Sequence, residues 1–159
     1  MLIREARPED WPDVAELLAQ LGRPDVRGTG EEAAGREVYE RYLERDDAMI
    51  LVAEDGGRVV GLLDMEYRVR LNFTAPQAWI PDLVVDEDSR SAGVGRALIA
   101  RAEELARERG CWGMELESAT WRERAHAFYV REGWTGAGKS FSKLLAEGLT
   151  WPPTPSGGR

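Results

Sequence analysis

The sequence predicts an α/β (α+β) fold: a mixed, mostly antiparallel central sheet of about seven strands with helices on both faces. Three observations predict it. Two β-rich segments flank Asp55-Gly56-Gly57, which reads as an antiparallel hairpin. An apolar run, Leu83-Val84-Val85, passes through a glycine turn into a long charged segment of helical period, the order strand, turn, helix. Hairpin strands followed by strand-helix-strand-helix then imply a mixed sheet with helices on both faces.

Each element follows from local pattern. Leu2 to Ala6 alternates as a short strand. Pro8-Glu9-Asp10 opens a helix in which Trp11, Val14, Leu17, Leu18 and Leu21 recur at helical spacing, and Gly22 ends it. Residues 23–30, with Pro24, Gly28 and Gly30, form a loop. Glu31 to Arg45 is a charged helix with a narrow apolar stripe of Val38, Tyr39, Tyr42 and Leu43. The hairpin strands run over Ala48 to Glu54 and Arg58 to Val69, and one further strand begins near Gln77 and ends Leu-Val-Val. Val94, Leu98, Ala102 and Leu105 mark the buried face of the next helix, which stops at Gly110. Trp112 to Glu117 alternates as a strand, and Arg122 to Arg131 is a helix ended by Gly133. Residues 134–136 and 139–145 read as a final pair of strands, and the tail 147–159, rich in proline and glycine, as mobile. The expectation is one domain over 1–146.

Composition excludes several classes. At 159 residues and 43% hydrophobic content the chain suits one core. No apolar run approaches the ~20 residues of a membrane span, and no leader is expected at Met1, so a cytoplasmic protein is predicted. A formal charge of -8 argues against nucleic acid as a partner. The single cysteine, Cys111, reads as a small buried residue and allows no internal disulfide. One histidine and one cysteine argue against a structural metal site.

The turn Arg90-Ser91-Ala92-Gly93-Val94-Gly95 carries the chemistry. A helix whose first turn is glycine-rich leaves backbone N–H groups unpaired and unshielded where its dipole is positive, a ready anion site. Arg90 and Arg96 add full charges, so the turn reads as a pyrophosphate cradle. It is not a P-loop, since Gly95 is followed by Arg96-Ala97, and Leu98 occupies the place where the dinucleotide fingerprint needs a small residue. Arg-x-x-Gly-x-Gly after a strand ending Leu-Val-Val resembles the coenzyme A loop of the GNAT acetyltransferase superfamily. That resemblance implies acetyl-CoA as cosubstrate, held by Leu83, Val84, Val85 and by Arg90, Ser91, Ala92, Gly93, Val94, Gly95 and Arg96.

A second segment, Ala125-His126-Ala127-Phe128-Tyr129 followed by Gly133-Trp134, is similar to the family's later motif. The resemblance implies that Tyr129 donates a proton to the departing thiolate. The chemistry agrees: the thiol has a reference pKa near ~8.5, and a tyrosine near ~10 is still protonated at neutral pH. An attacking amine must lose its own proton, and the oxyanion that forms can be met by backbone N–H groups, for which Val84 and Val85 are the candidates.

The base is the open point. Where some members carry a glutamate this chain has Pro81, so Asp82, Glu117, Glu66 or a water chain stand as alternatives. Arg122 replaces an asparagine found in many members, and His126 reads as a packing residue. Trp79, Trp112 and Trp134 read as core, whereas Trp11 and Trp121 are candidates for lining an acceptor pocket. Trp151 could serve a partner subunit, since many members dimerise. The resulting expectation is direct acetyl transfer to a primary amine, with a small-molecule acceptor favoured over a peptide or protein amine. The alternative is a non-catalytic acyl-CoA-binding module, favoured by Pro81 and opposed by Tyr129.

Overall fold

In this computed structural model residues 1–90, 92–120, 122–136 and 138 are described. They fall into a compact unit Met1–Leu116 and a second unit beginning at Glu117. Ser91, Trp121, the expected strand 139–145 and the tail with Trp151 lie outside the described residues.

The first unit is built on a six-stranded sheet: β1 (Leu2–Glu5), β2 (Ala48–Asp55), β3 (Arg58–Arg68), β4 (Gln77–Ile80), β5 (Leu83–Val85) and β6 (Met114–Leu116). The order is β1-β2-β3-β4-β6, with β5 paired to β3. All pairings are antiparallel except β4 with β6. The hairpin has a two-residue loop: Asp55 faces Arg58, and Gly56 and Gly57 have φ of 58° and 83°. A turn with both central residues at positive φ matches the twist of the flanking strands and demands glycine.

Two helices cover one face of the sheet and one covers the other. A short 3-10 turn, Pro8–Asp10, precedes α1 (Trp11–Leu21), so the helix proper starts three residues later than the sequence suggests. Asp10 anchors this start: its carboxylate accepts from Arg4 Nη1 and Nη2 at 2.7 and 2.8 Å and from the Arg7 amide at 2.8 Å. Gly22, at φ 95°, ends α1, and its amide and that of Arg23 return to the carbonyls of Ala19 and Leu18. α2 (Glu32–Leu43) follows. Trp11, Val14, Leu17 and Tyr39 from these helices bury themselves with Val52, Leu62 and Val84 of the sheet. Trp11 is only 7% exposed, its ring 5.5 Å from that of Tyr39, so it is core and not a pocket wall.

α3 (Val94–Glu108) covers the opposite face with Val94, Leu98, Ile99, Ala102 and Ala106. Its approach is set by Gly61 on β3. A Cβ there would stand 2.7 Å from Val94 Cγ1 and 3.1 Å from Leu98 Cδ1, so the absence of a side chain seats the helix N-terminus on the sheet. Trp112 departs from expectation: it is 44% exposed and stacks on Phe73, ring centroids 4.4 Å apart.

Within the second unit, α4 (Glu123–Arg131) ends at Gly133, φ 88°. The expected strand over 134–136 is not formed; those residues have no regular structure.

Candidate active site

The single strand expected from Gln77 to Val85 is two strands, broken at Pro81-Asp82. β4 pairs with β3 and β6, and its register with β6 stops at Ile80 opposite Leu116. β5 pairs with β3 alone. Proline has no N–H to give to a ladder, which accounts for the interruption. The register also decides which amides are available. Asp64 N donates to Asp82 O at 3.1 Å, and Asp86 N donates to Val60 O at 2.9 Å. Backbone groups alternate along an antiparallel strand, so Val84 likewise turns its N–H and C=O toward β3, while those of Leu83 and Val85 point to the side without a β3 partner. Of the two amides singled out from the sequence, Val85 is presented outward and Val84 is not; the other outward amide of β5 is that of Leu83.

Immediately after β5 the chain forms a 3-10 turn, Glu87–Ser89, capped by Asp86, whose side chain accepts from the Asp88 amide. Gln20 of α1 clamps this turn from below. Its Nε2 donates to Asp86 Oδ2 at 3.1 Å and its Oε1 accepts from the Glu87 amide at 3.2 Å. Gly93 then caps α3 at φ 81° with no side-chain hydrogen bond. Gly93 has no side chain with which to cap the helix, and the first-turn amides of Val94 and Gly95 lie too early in α3 to find an acceptor four residues back within it. Ala92 and Gly93 are exposed. Arg90 is 44% exposed and holds Glu87 at 3.2 Å, and Arg96 is exposed in the first turn.

The carboxylates near the break form one cluster. Asp82 is ion-paired with Arg23, whose Nε stands 2.7 Å from Oδ1. The Asp82 amide donates to Asp64 Oδ1 at 2.6 Å. Burial, and then the neighbouring Asp82 charge, push the Asp64 carboxyl up to about 7, against the opposing pull of the Asp82 amide and Arg23. The Tyr42 hydroxyl lies beside both Asp64 and Glu66, and burial raises it too. Asp64 was not singled out from the sequence. It is one aspartate in an alternating strand, and its partner is 18 positions away.

In the second unit the Tyr129 ring packs 5.4 Å from Phe128 and 6.1 Å from Trp134. Burial raises its pKa, with Arg122 working the other way, so its phenol holds a proton across neutral pH. His126 is half-buried, its amide bonded to the Arg122 carbonyl at 3.0 Å. Glu117 is exposed. Cys111 is half-buried, and burial raises its thiol, as expected of a packing residue. Among the described residues no group of three or more His, Cys, Asp or Glu is placed to hold a metal, and no helix is long and apolar enough to cross a membrane.

Comparison with known proteins gives one family. The pattern of the Acetyltransferase (GNAT) family matches residues 8–134. The chain is 30% identical over 143 residues to an aminoalkylphosphonate N-acetyltransferase of Salmonella typhimurium, covering 90% of each chain. It superposes on a transcriptional regulator from Bacillus halodurans with a TM-score of 0.82 at 22% identity, covering 91% of this chain and 99% of that one. It superposes on glucosamine-6-phosphate N-acetyltransferase from Arabidopsis thaliana with a TM-score of 0.77 at 22% identity, covering 91% and 98%.

Proposed function

The chain belongs to the GNAT acetyltransferase family, and on that premise we propose that this N-acetyltransferase moves an acetyl group from acetyl-CoA directly to a primary amine of a small molecule. The observation that carries the proposal is the break at Pro81-Asp82, followed within eleven residues by the glycine-capped start of α3. One gives outward amides, the other an anion-binding helix end, on one continuous stretch.

The residues divide the work as follows. The first-turn amides of Val94 and Gly95, with Arg90 and Arg96 as charges and Ser91 and Ala92 next to them in the sequence, hold the pyrophosphate of the cosubstrate. Leu83 and Val85 direct their N–H groups at the acyl oxygen and meet the charge that develops on it. The attacking amine carries a proton with a reference pKa near ~10.4 that must leave. Asp64, its carboxyl pushed up to about 7 by burial and the neighbouring Asp82 charge, accepts it. Tyr129 gives its phenolic proton to the leaving thiolate and recovers it from solvent. Glu117 and Glu66 remain the other carboxylates able to relay the amine proton. A cytoplasmic setting suits the lone cysteine.

Two facts support a small acceptor. The relative at 30% identity is named for aminoalkylphosphonates, and it is matched over 90% of its length. The test is release of coenzyme A thiol from acetyl-CoA across polyamines, aminoglycosides, amino acids, short peptides and 2-aminoethylphosphonate, with a parallel thermal shift by coenzyme A. Turnover with a small amine is expected. A thermal shift without turnover on any amine would favour the acyl-CoA-binding module. No shift would overturn the cradle assignment.

A further inference from the structure

A polar cavity of about 680 Å³ lies over the β3–β4–β6 part of the sheet, lined by Arg45, Glu66, Arg68, Arg70, Gln77 and Glu115 among others. Register fixes how these residues share one face. Glu66 stands opposite Trp79, Trp79 opposite Glu115, and Arg68 opposite Gln77. Leu62 lies an even number of residues from Glu66 and packs in the cluster under α1 and α2, so this is the face those helices cover further along.

The charges in the cavity are matched: three arginines meet Asp47, Glu66 and Glu115. Glu66 accepts from Arg45 at 2.9 Å and from Arg68 at 3.4 Å, and the Arg68 guanidinium lies 3.1 Å from the centre of the Trp79 ring. Arg70 is held loosely, 3.3 Å from Gln77 Oε1 and 3.6 Å from Glu115. What remains unmatched is Gln77. It is 2% exposed, and its Nε2 has no hydrogen-bond partner among the described residues. The contact from Arg70 assigns the amide oxygen, so the orphan is the donor end. A buried donor without an acceptor in a native fold calls for an explanation.

We propose that this cavity holds an anionic group of the acceptor molecule, a carboxylate or phosphonate, which takes the Gln77 Nε2 hydrogen bond and a charge-assisted bond from Arg70. The acceptor is then a zwitterion, its reacting amine at the Pro81-Asp82 break. Gln77 and Pro81 are four residues apart, roughly 13 Å along a strand, which puts amine and anion on the order of 10 Å apart. The inference rests on the transferase reading only for where the amine lies.

Calorimetric binding to the full-length protein saturated with coenzyme A tests it without any acetyl transfer. The probes are 8-aminooctanoate, 3-aminopropanoate and n-octylamine. The expected result is at least tenfold tighter binding of 8-aminooctanoate than of either other probe. The advantage should disappear in Gln77→Leu and fall in Arg70→Gln, with coenzyme A affinity unchanged in both. Arg70 is half exposed, so its variant tests the site even if Gln77→Leu folds poorly. Equal binding of 8-aminooctanoate and n-octylamine, or an advantage that survives both substitutions, overturns the proposal. Selective binding without turnover on any amine would leave the site standing and remove the transferase reading; turnover of n-octylamine without selectivity would do the reverse.

Discussion

Asp64 and Asp82 grip each other across the sheet at the point where β4 gives way to β5. The Asp82 amide donates to the Asp64 carboxylate at 2.6 Å, and the Asp64 amide returns to the Asp82 carbonyl at 3.1 Å. Arg23, placed by the glycine cap of α1, binds the Asp82 carboxylate. A strand interruption thus brings two carboxyl groups and one guanidinium together on the face covered by α1 and α2.

A carboxyl group whose native pKa stands above its unfolded value binds its proton more tightly in the fold. Its contribution to stability is full below the unfolded value, here 3.8, and is lost as pH rises through about 7. Asparagine keeps the acceptor oxygen for the Asp82 amide and cannot ionise. Relative to the unmodified protein, Asp64→Asn should therefore gain stability between pH 5 and pH 8, on the order of 2 kcal/mol. Denaturant melts at the two pH values check this; a pH-independent difference would remove Asp64 as the titrating member of the pair.

The same substitution should lower kcat by about a hundredfold and flatten the acidic limb of the pH–rate profile, leaving the KM for acetyl-CoA near its original value. A variant with full activity and an intact limb would return the base to Glu117, Glu66 or water.

Arg23→Gln removes the charge that pulls Asp64 down. The acidic limb should move to higher pH, and stability should fall by about 1–3 kcal/mol because Asp82 loses its partner in a part-buried setting. A pH–rate profile unmoved by the change would mean that Arg23 only staples α1 to the sheet.

Tyr129→Phe should depress kcat by about tenfold to a thousandfold with little change in coenzyme A affinity, since the phenol is asked only for a proton. Packing against Phe128 and Trp134 is retained by phenylalanine, so the melting temperature should hold. A loss of coenzyme A binding in step with rate would point instead to a structural role.

Gly93 and Gly61 serve the same helix end for different reasons. At Gly93 there is open space for a Cβ but φ is 81°, so Gly93→Ala should cost about 1–2 kcal/mol through backbone strain alone and weaken coenzyme A binding. At Gly61 the backbone is unstrained and the space is missing. Gly61→Ala should destabilise by about 1–3 kcal/mol as Val94 and Leu98 give way. Calorimetric coenzyme A titration and thermal melts separate the two.

The features legible in the sequence are those written in short stretches. The hairpin at Gly56-Gly57, the ends of the helices at Gly22, Gly110 and Gly133, and the Gly93 turn before α3 all depend on local φ and on hydrophobic period. The family pattern over 8–134 was legible for the same reason, since its two motifs are contiguous. What tertiary structure alone decided depends on register between distant segments. It split the strand at Pro81-Asp82, turned Leu83 and Val85 outward but Val84 inward, and set Asp64 against Asp82. It also buried Trp11 and left Trp112 stacked on Phe73 at the surface. Strand alternation has a period of two, so a sequence tells which residues share a face, whereas which partner strand each amide meets is fixed only when the sheet is assembled.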